Sequence, residues 1–111
     1  MGIQEWSENV ILVDLPAEPQ TGKQLQETIQ EVRDRGDCDV VVDFSEVDII
    51  TSDSLAQLVR LRKLLADCRR QLTLCHVGAA TKGILSVTGL NEIFTVVEDK
   101  FDVLATPKAS N

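Results

Sequence analysis

An α/β fold is predicted: one small domain with a mixed, mostly parallel central sheet and helices packed on it. Three observations carry this. The chain has 111 residues, 43% of them hydrophobic and 26% charged, which suits one folded core rather than two and speaks against disorder. Short β-branched runs alternate along it with longer stretches whose apolar residues recur every three or four positions, and such alternation implies βαβ crossovers. Glycine or proline punctuates most of the boundaries. A single domain over residues 1–111, with its core in about 9–105, is the expected organisation.

The first strand expected in the core is Asn9 to Asp14, and the segment from Ile3 can pair with it as an edge strand. Leu15 to Gln20 reads as a loop, because two prolines remove donors and hold the chain extended. From Thr21 to Arg35 the apolar residues Leu25, Ile29 and Val32 fall four and three apart, which places them on one helical face, and Gly36 stops the helix. Cys38 to Phe44 is a run with few polar breaks, suited to a strand covered on both faces. A second helix is expected from about Ser54 to Arg70. Leu58, Leu61, Leu65 and Cys68 form its buried stripe, and Arg60, Lys63, Asp67 and Arg70 its outer face. Gln71 to Val77 is the next strand, Ala79 to Thr88 a third helix closed by Gly89, and Ile93 to Val97 a last strand. Lys100 to Ala105 is expected as a short terminal helix.

Eighteen acidic against eleven basic residues give a formal charge of −7. A duplex-binding protein uses a basic face to neutralise phosphates, so nucleic acid is not the expected partner. The longest apolar runs, such as Val40 to Val42, fall far below the roughly 20 residues of a membrane span. Met1 to Glu5 lacks the apolar stretch of a secretory signal, and a cytoplasmic location is expected. Cys38, Cys68 and Cys75 are odd in number and form no C-x-x-C pair, so they read as buried thiols. His76 is the single histidine. If Cys75 and His76 are consecutive strand residues they point to opposite faces, so no metal site or cofactor is expected.

The informative segment runs from Asp43 to Leu55, where a buried strand ends, a polar turn follows, and Thr51, Ser52, Asp53 and Ser54 open a helix. Ligands and partners of open α/β sheets are met at the carboxyl ends of the strands. A helix N-terminus favours an anionic group, and a phosphate added to a serine there finds donors waiting. The same residues are also the preferred helix N-caps, and Ser54 with Gln57 has the capping-box spacing. No G-x-S-x-G elbow or P-loop is present, so an enzyme is not expected. Asp34, Asp37, Asp39, Asp43, Glu46, Asp48 and Asp53 read as a solvated acidic rim. Arg60, Arg62, Lys63, Arg69 and Arg70 gather on or just after the second helix, either as a solvated surface or as a contact face.

Three segments together resemble the STAS domain family, and within it the bacterial anti-sigma factor antagonists. They are Val40 to Val47, Ile50 to Leu55, and Gly83 to Leu90 with Ile93 and Phe94. The resemblance covers about residues 9–105 and implies a small α/β domain that works by protein–protein binding. It implies an anti-sigma factor with serine kinase activity as partner, Ser52 as the phosphate acceptor, and Asp43, Thr51, Asp53 and Ser54 as the neighbourhood of the switch. The resemblance further implies that the unphosphorylated chain binds the partner and the phosphorylated chain does not. A monomer or weak dimer is expected. Where the family commonly has Asp-Ser-Ser-Gly, this chain has Thr51-Ser52-Asp53-Ser54. The alternative is a STAS domain without a switch, serving as a scaffold subunit or as a receptor for a nucleotide or other small ligand.

Overall fold

The computed structural model describes residues 2–99. The elements run β1 (Ile3–Ser7), β2 (Val10–Asp14), α1 (Thr21–Arg35), β3 (Asp39–Asp43), α2 (Ser52–Asp67), β4 (Leu72–Cys75), α3 (Ala79–Val87), a 3-10 turn (Leu90–Glu92) and β5 (Thr95–Val97). They form one five-stranded sheet in the order β1-β2-β3-β4-β5. β1 pairs antiparallel with β2, and every later pair is parallel, joined through a helix. The sheet is therefore mixed and mostly parallel, as the alternation of patterns predicts. The expected terminal helix from Lys100 to Ala105 lies outside the described residues.

Strand alternation divides the core in two. Ile11, Val13, Val40, Val42, Leu72 and Leu74 face the helices, where they join Leu25, Ile29 and Val32 of α1, Leu58, Leu61 and Leu65 of α2, and Leu85 of α3. Val10, Leu12, Val41 and Cys75 form a second cluster on the other face, with Trp6 and Val97 against it. All five residues of β3 are buried, which fits a central strand covered on both sides.

Glycine closes α1 and α3 but not α2. Gly36 takes a left-handed conformation, φ 80°, and returns its N–H to the Val32 carbonyl at 2.7 Å, as a C-terminal glycine should. Gly89 does likewise after α3 at φ 78°. The second helix differs at both ends: it starts at Ser52 rather than Ser54 and stops at Asp67 rather than Arg70. The stop is a Schellman motif built without glycine. Arg69 stands at φ 60°, its N–H reaches the Ala66 carbonyl at 3.0 Å, and the Arg70 N–H reaches Leu65 at 2.8 Å. Cys68, expected on the buried stripe, is exposed at the end of this helix, whereas Cys38 and Cys75 are buried. Left-handed backbone costs an L-residue about 1–2 kcal/mol, part of which glycine returns as unfolded-state entropy. Arg69→Gly should therefore raise the stability by about 0.5–1 kcal/mol in urea titration.

Polar ties fix the edges. Arg35 donates to Glu5 at 2.7 Å and joins α1 to β1; that hydrogen bond raises the proton affinity of the guanidinium. Asp39 accepts from the Gln71 N–H at 2.9 Å. The Arg70 Nε lies 3.1 Å from the same carboxylate, but its N–H makes no well-aligned hydrogen bond, so attraction of charge holds the pair. Burial pushes the Cys38 thiol above its ordinary value. In native protein a thiol reagent should label Cys68 at once, and Cys38 and Cys75 only on unfolding. Peptide mass spectrometry checks this, and equal labelling of all three would contradict the packing.

Candidate functional site

The parallel strands deliver their carboxyl ends to one edge of the sheet, and there the loop of residues 44–51 links β3 to α2. Phe44, Val47 and Ile50 pin that loop into the core, while Ser45, Glu46, Asp48 and Ile49 are exposed. Thr51, in extended conformation, is the N-cap, and its side-chain oxygen accepts from the Ser54 N–H at 3.2 Å. A hydroxyl in that position satisfies one of the orphan amides of the first turn. The capping spacing of Ser54 and Gln57 is not used as a cap, because Ser54 already lies within the first turn.

Ser52 is the first residue of α2 and is exposed. Among the described residues no hydrogen bond engages its hydroxyl. Asp53, also exposed, stands in the first turn, where its charge complements the helix dipole. Ser54 is 2% exposed and donates to Glu18 Oε1 at 3.0 Å. The other oxygen of Glu18 accepts from the Thr51 N–H at 2.9 Å and faces the Thr51 hydroxyl at 3.2 Å. Thr51 and Ser54 are thus brought together by a carboxylate from the β2–α1 loop.

In the sequence Glu18 is one acidic residue in a proline-containing loop, with no local signal of this role. Only the fold carries it across to α2. Ser54 fits there because α1 presents Gly22, where an added Cβ would lie 3.2 Å from the Ser54 hydroxyl oxygen. Glu18→Ala removes three acceptor contacts from a helix N-terminus and should cost about 1–2 kcal/mol, the range of a lost cap. Glu18→Gln, which keeps an acceptor, should cost less. Equal thermal midpoints for wild type and Glu18→Ala would show that the contacts add nothing.

Asp43 begins the loop that Thr51 ends. It is 4% exposed and lies in register with Asp14 of β2 and Cys75 of β4. Its Oδ1 accepts from the Ser45 N–H at 2.8 Å and from the Ser45 hydroxyl at 2.5 Å, and it lies 3.2 Å from His76 Nδ1. Contrary to what the sequence pattern predicts, strand alternation does not hold Cys75 and His76 apart. β4 ends at Cys75, and His76 takes a left-handed conformation, φ 54°, so alternation no longer governs its direction. Donor atoms of Asp43, Cys75 and His76 all lie within 4.8 Å of one another.

Serine, histidine and aspartate meet here without forming a nucleophilic triad. Such a triad needs the hydroxyl on one imidazole nitrogen and the carboxylate on the other. Ser45 Oγ at 3.0 Å and Asp43 Oδ1 at 3.2 Å both face the same Nδ1, and the serine proton is directed at the carboxylate.

The charged segments also divide. Asp34, Asp37, Glu46, Asp48 and Asp53 are exposed, but Asp39 and Asp43 are buried and serve the fold. The expected rim therefore has five of its seven members. Several basic residues on or after α2 have internal work. Arg62 donates to the Ile93 carbonyl at 3.1 Å, Lys63 lies 3.4 Å from Asp67, and Arg70 pairs with Asp37 at 3.0 Å.

No curated protein matches the chain by sequence. Among solved structures, an anti-sigma factor antagonist from Mycobacterium paratuberculosis superposes with a TM-score of 0.75 at 22% identity, covering 93% of this chain and 88% of that one. An anti-sigma factor antagonist (STAS) domain protein from Planctomyces limnophilus gives 0.73 at 21% identity, with 93% and 95% covered. The Bacillus cell fate determinant SpoIIAA in its phosphorylated form gives 0.71 at 9% identity, with 93% and 96% covered. At these identities the likeness is one of fold. The family model described as Mlab, STAS domain, matches residues 17–98, from the loop that carries Glu18 through the last strand, and the chain accordingly belongs to the STAS domain family.

Proposed function

We propose that this STAS domain is a non-catalytic cytoplasmic regulator of the anti-sigma factor antagonist type, which binds an anti-sigma factor with serine kinase activity and is switched by phosphorylation of Ser52. The observation that carries the reading is the division of labour at the start of α2. Thr51, Ser54 and Glu18 hold the cap among themselves, while the exposed Ser52 hydroxyl is committed to nothing among the described residues.

The partner face combines Ser52 with Ile49, 53% exposed on the preceding loop, and with Asp48 and Asp53. An exposed isoleucine offers an apolar anchor, and the carboxylates orient a partner by charge. A phosphate on Ser52 adds about −1.5 to −2 charges beside them. It would have to be desolvated against the partner, and it repels acidic groups there. Modification thus opposes binding without altering the core.

Incubation with the cognate kinase and ATP should add a single phosphate, read by intact mass, and Ser52→Ala should abolish it. In pull-downs wild type and Ser52→Ala should retain the kinase, while Ser52→Glu should bind at least about tenfold more weakly, equivalent to about 1.4 kcal/mol. Retention of one partner by all three, with no phosphate added, would overturn the switch. That outcome favours a non-switching scaffold subunit. The observation on its side is that Glu18 already places a carboxylate against the amide of the α2 N-cap. A receptor for a small ligand would instead show a ligand-dependent rise in melting temperature.

A further inference from the structure

The geometry points to a mononuclear site for a thiophilic divalent metal ion, of the zinc or cobalt kind, formed by the Asp43 carboxylate, the Cys75 thiolate and the His76 imidazole. The three come from the adjoining ends of β3 and β4. Parallel register sets Asp43 directly opposite Cys75, so both side chains leave the same face of the sheet. His76 follows at once, and its left-handed backbone places Nδ1 3.2 Å from Asp43 Oδ1. All three donor atoms lie within 4.8 Å of one another. Bonds of about 2.0–2.3 Å in a tetrahedral ion set neighbouring donors roughly 3.3–3.8 Å apart. The 4.8 Å limit of the observed cluster exceeds that spacing by about 1 Å, and the strand register holds two of the three ligands side by side.

The chemistry of the donors narrows the occupant. One sulfur, one imidazole nitrogen and one carboxylate oxygen suit zinc and its spectroscopic substitute cobalt rather than magnesium or calcium, which take oxygen ligands. Burial supports a defined site. Cys75 is fully buried and Asp43 nearly so, while the His76 side chain keeps 32% exposure. Solvent reaches the cluster from the histidine side, and a water molecule there completes four-coordination. Ser45 supports the carboxylate through two hydrogen bonds, the kind of outer contact that orients a ligand. On binding, the Cys75 sulfur exchanges its proton for the metal ion and the proton leaves to solvent, so the chain gains one positive charge per ion bound.

Cobalt(II) chloride titrated into the full chain carrying Cys68→Ser, which removes the exposed thiol, tests the site. A thiolate-to-cobalt charge-transfer absorption should grow to saturation at one cobalt per chain and be bleached by an equivalent of zinc. Adding Cys75→Ser should abolish the band with the circular dichroism spectrum unchanged. His76→Gln changes a part-exposed side chain and keeps all thiols, so it answers the question even where Cys75→Ser does not fold. It should weaken cobalt binding by more than about 100-fold, the upper range for loss of a supporting residue. Absence of a thiolate band, its persistence in Cys75→Ser, or unchanged affinity in His76→Gln would overturn the site.

Discussion

Leu61→Ala should destabilise the domain by about 2–5 kcal/mol, the range for truncating a fully buried leucine. Leu61 is fully buried. It lies between Leu58 and Leu65 on the stripe that α2 turns toward the sheet, in the same cluster as Leu25, Ile29 and Val32 of α1. Truncation removes the transfer free energy of the lost atoms and leaves a cavity that the two helices and the sheet can close only in part. A small domain holds about 5–15 kcal/mol in total, so the loss takes a large share of the margin. At about 4–8 °C per kcal/mol for a domain of this size, the thermal midpoint should fall by at least about 8 °C. Urea titration should show a lower midpoint with an unchanged slope. Val87→Ala is the control, because Val87 is 85% exposed and its loss should stay within about 0.5 kcal/mol. Equal effects of the two substitutions would contradict the placement of α2.

The sheet and its helices were legible because burial imposes a period on the sequence. A strand covered on both faces must read as Val40-Val41-Val42, and a helix lying on a sheet must repeat Leu58, Leu61, Leu65. Glycines at 36 and 89 marked left-handed turns that need them. What stayed hidden was set by contacts between distant segments or by conformations their residues do not advertise. Arg69 and His76 both adopt positive φ without being glycine or asparagine. The periodic pattern therefore runs three residues past the end of α2, and strand alternation predicts a direction that His76 does not take. Thr51, Ser52, Asp53 and Ser54 can each cap a helix, and local preference does not choose among them. The choice falls to Glu18, more than thirty positions away, which binds Thr51 and Ser54 together. Which serine keeps an uncommitted hydroxyl is thus decided by the β2–α1 loop rather than by the motif that contains it.

Asp43→Ala should release the loop that carries the α2 N-terminus while leaving the sheet paired. The carboxylate organises that loop from its first residues, accepting from the Ser45 N–H and hydroxyl and facing His76 Nδ1. Alanine takes the acceptor from the Ser45 N–H and leaves the Ser45 hydroxyl facing only His76 Nδ1 at 3.0 Å, a cost of about 1–3 kcal/mol. The backbone ladder survives, since the bonds of β3 to β2 and β4 use main-chain atoms and Phe44 still donates to the Cys75 carbonyl at 3.0 Å. Amide exchange should therefore accelerate in residues 45–51 and change little in residues 39–43 or in the body of α2, a local opening rather than global unfolding. Asp43→Asn retains an oxygen for Ser45 and should recover most of the protection, which separates the hydrogen bonds from the charge. Where the loop presents a partner-binding face, Asp43→Ala should also weaken that binding with Thr51, Ser54 and Glu18 untouched. Uniform acceleration across the sheet, or none in the loop, would mean that Asp43 serves the core and that Phe44, Val47 and Ile50 alone hold the segment leading to Ser52.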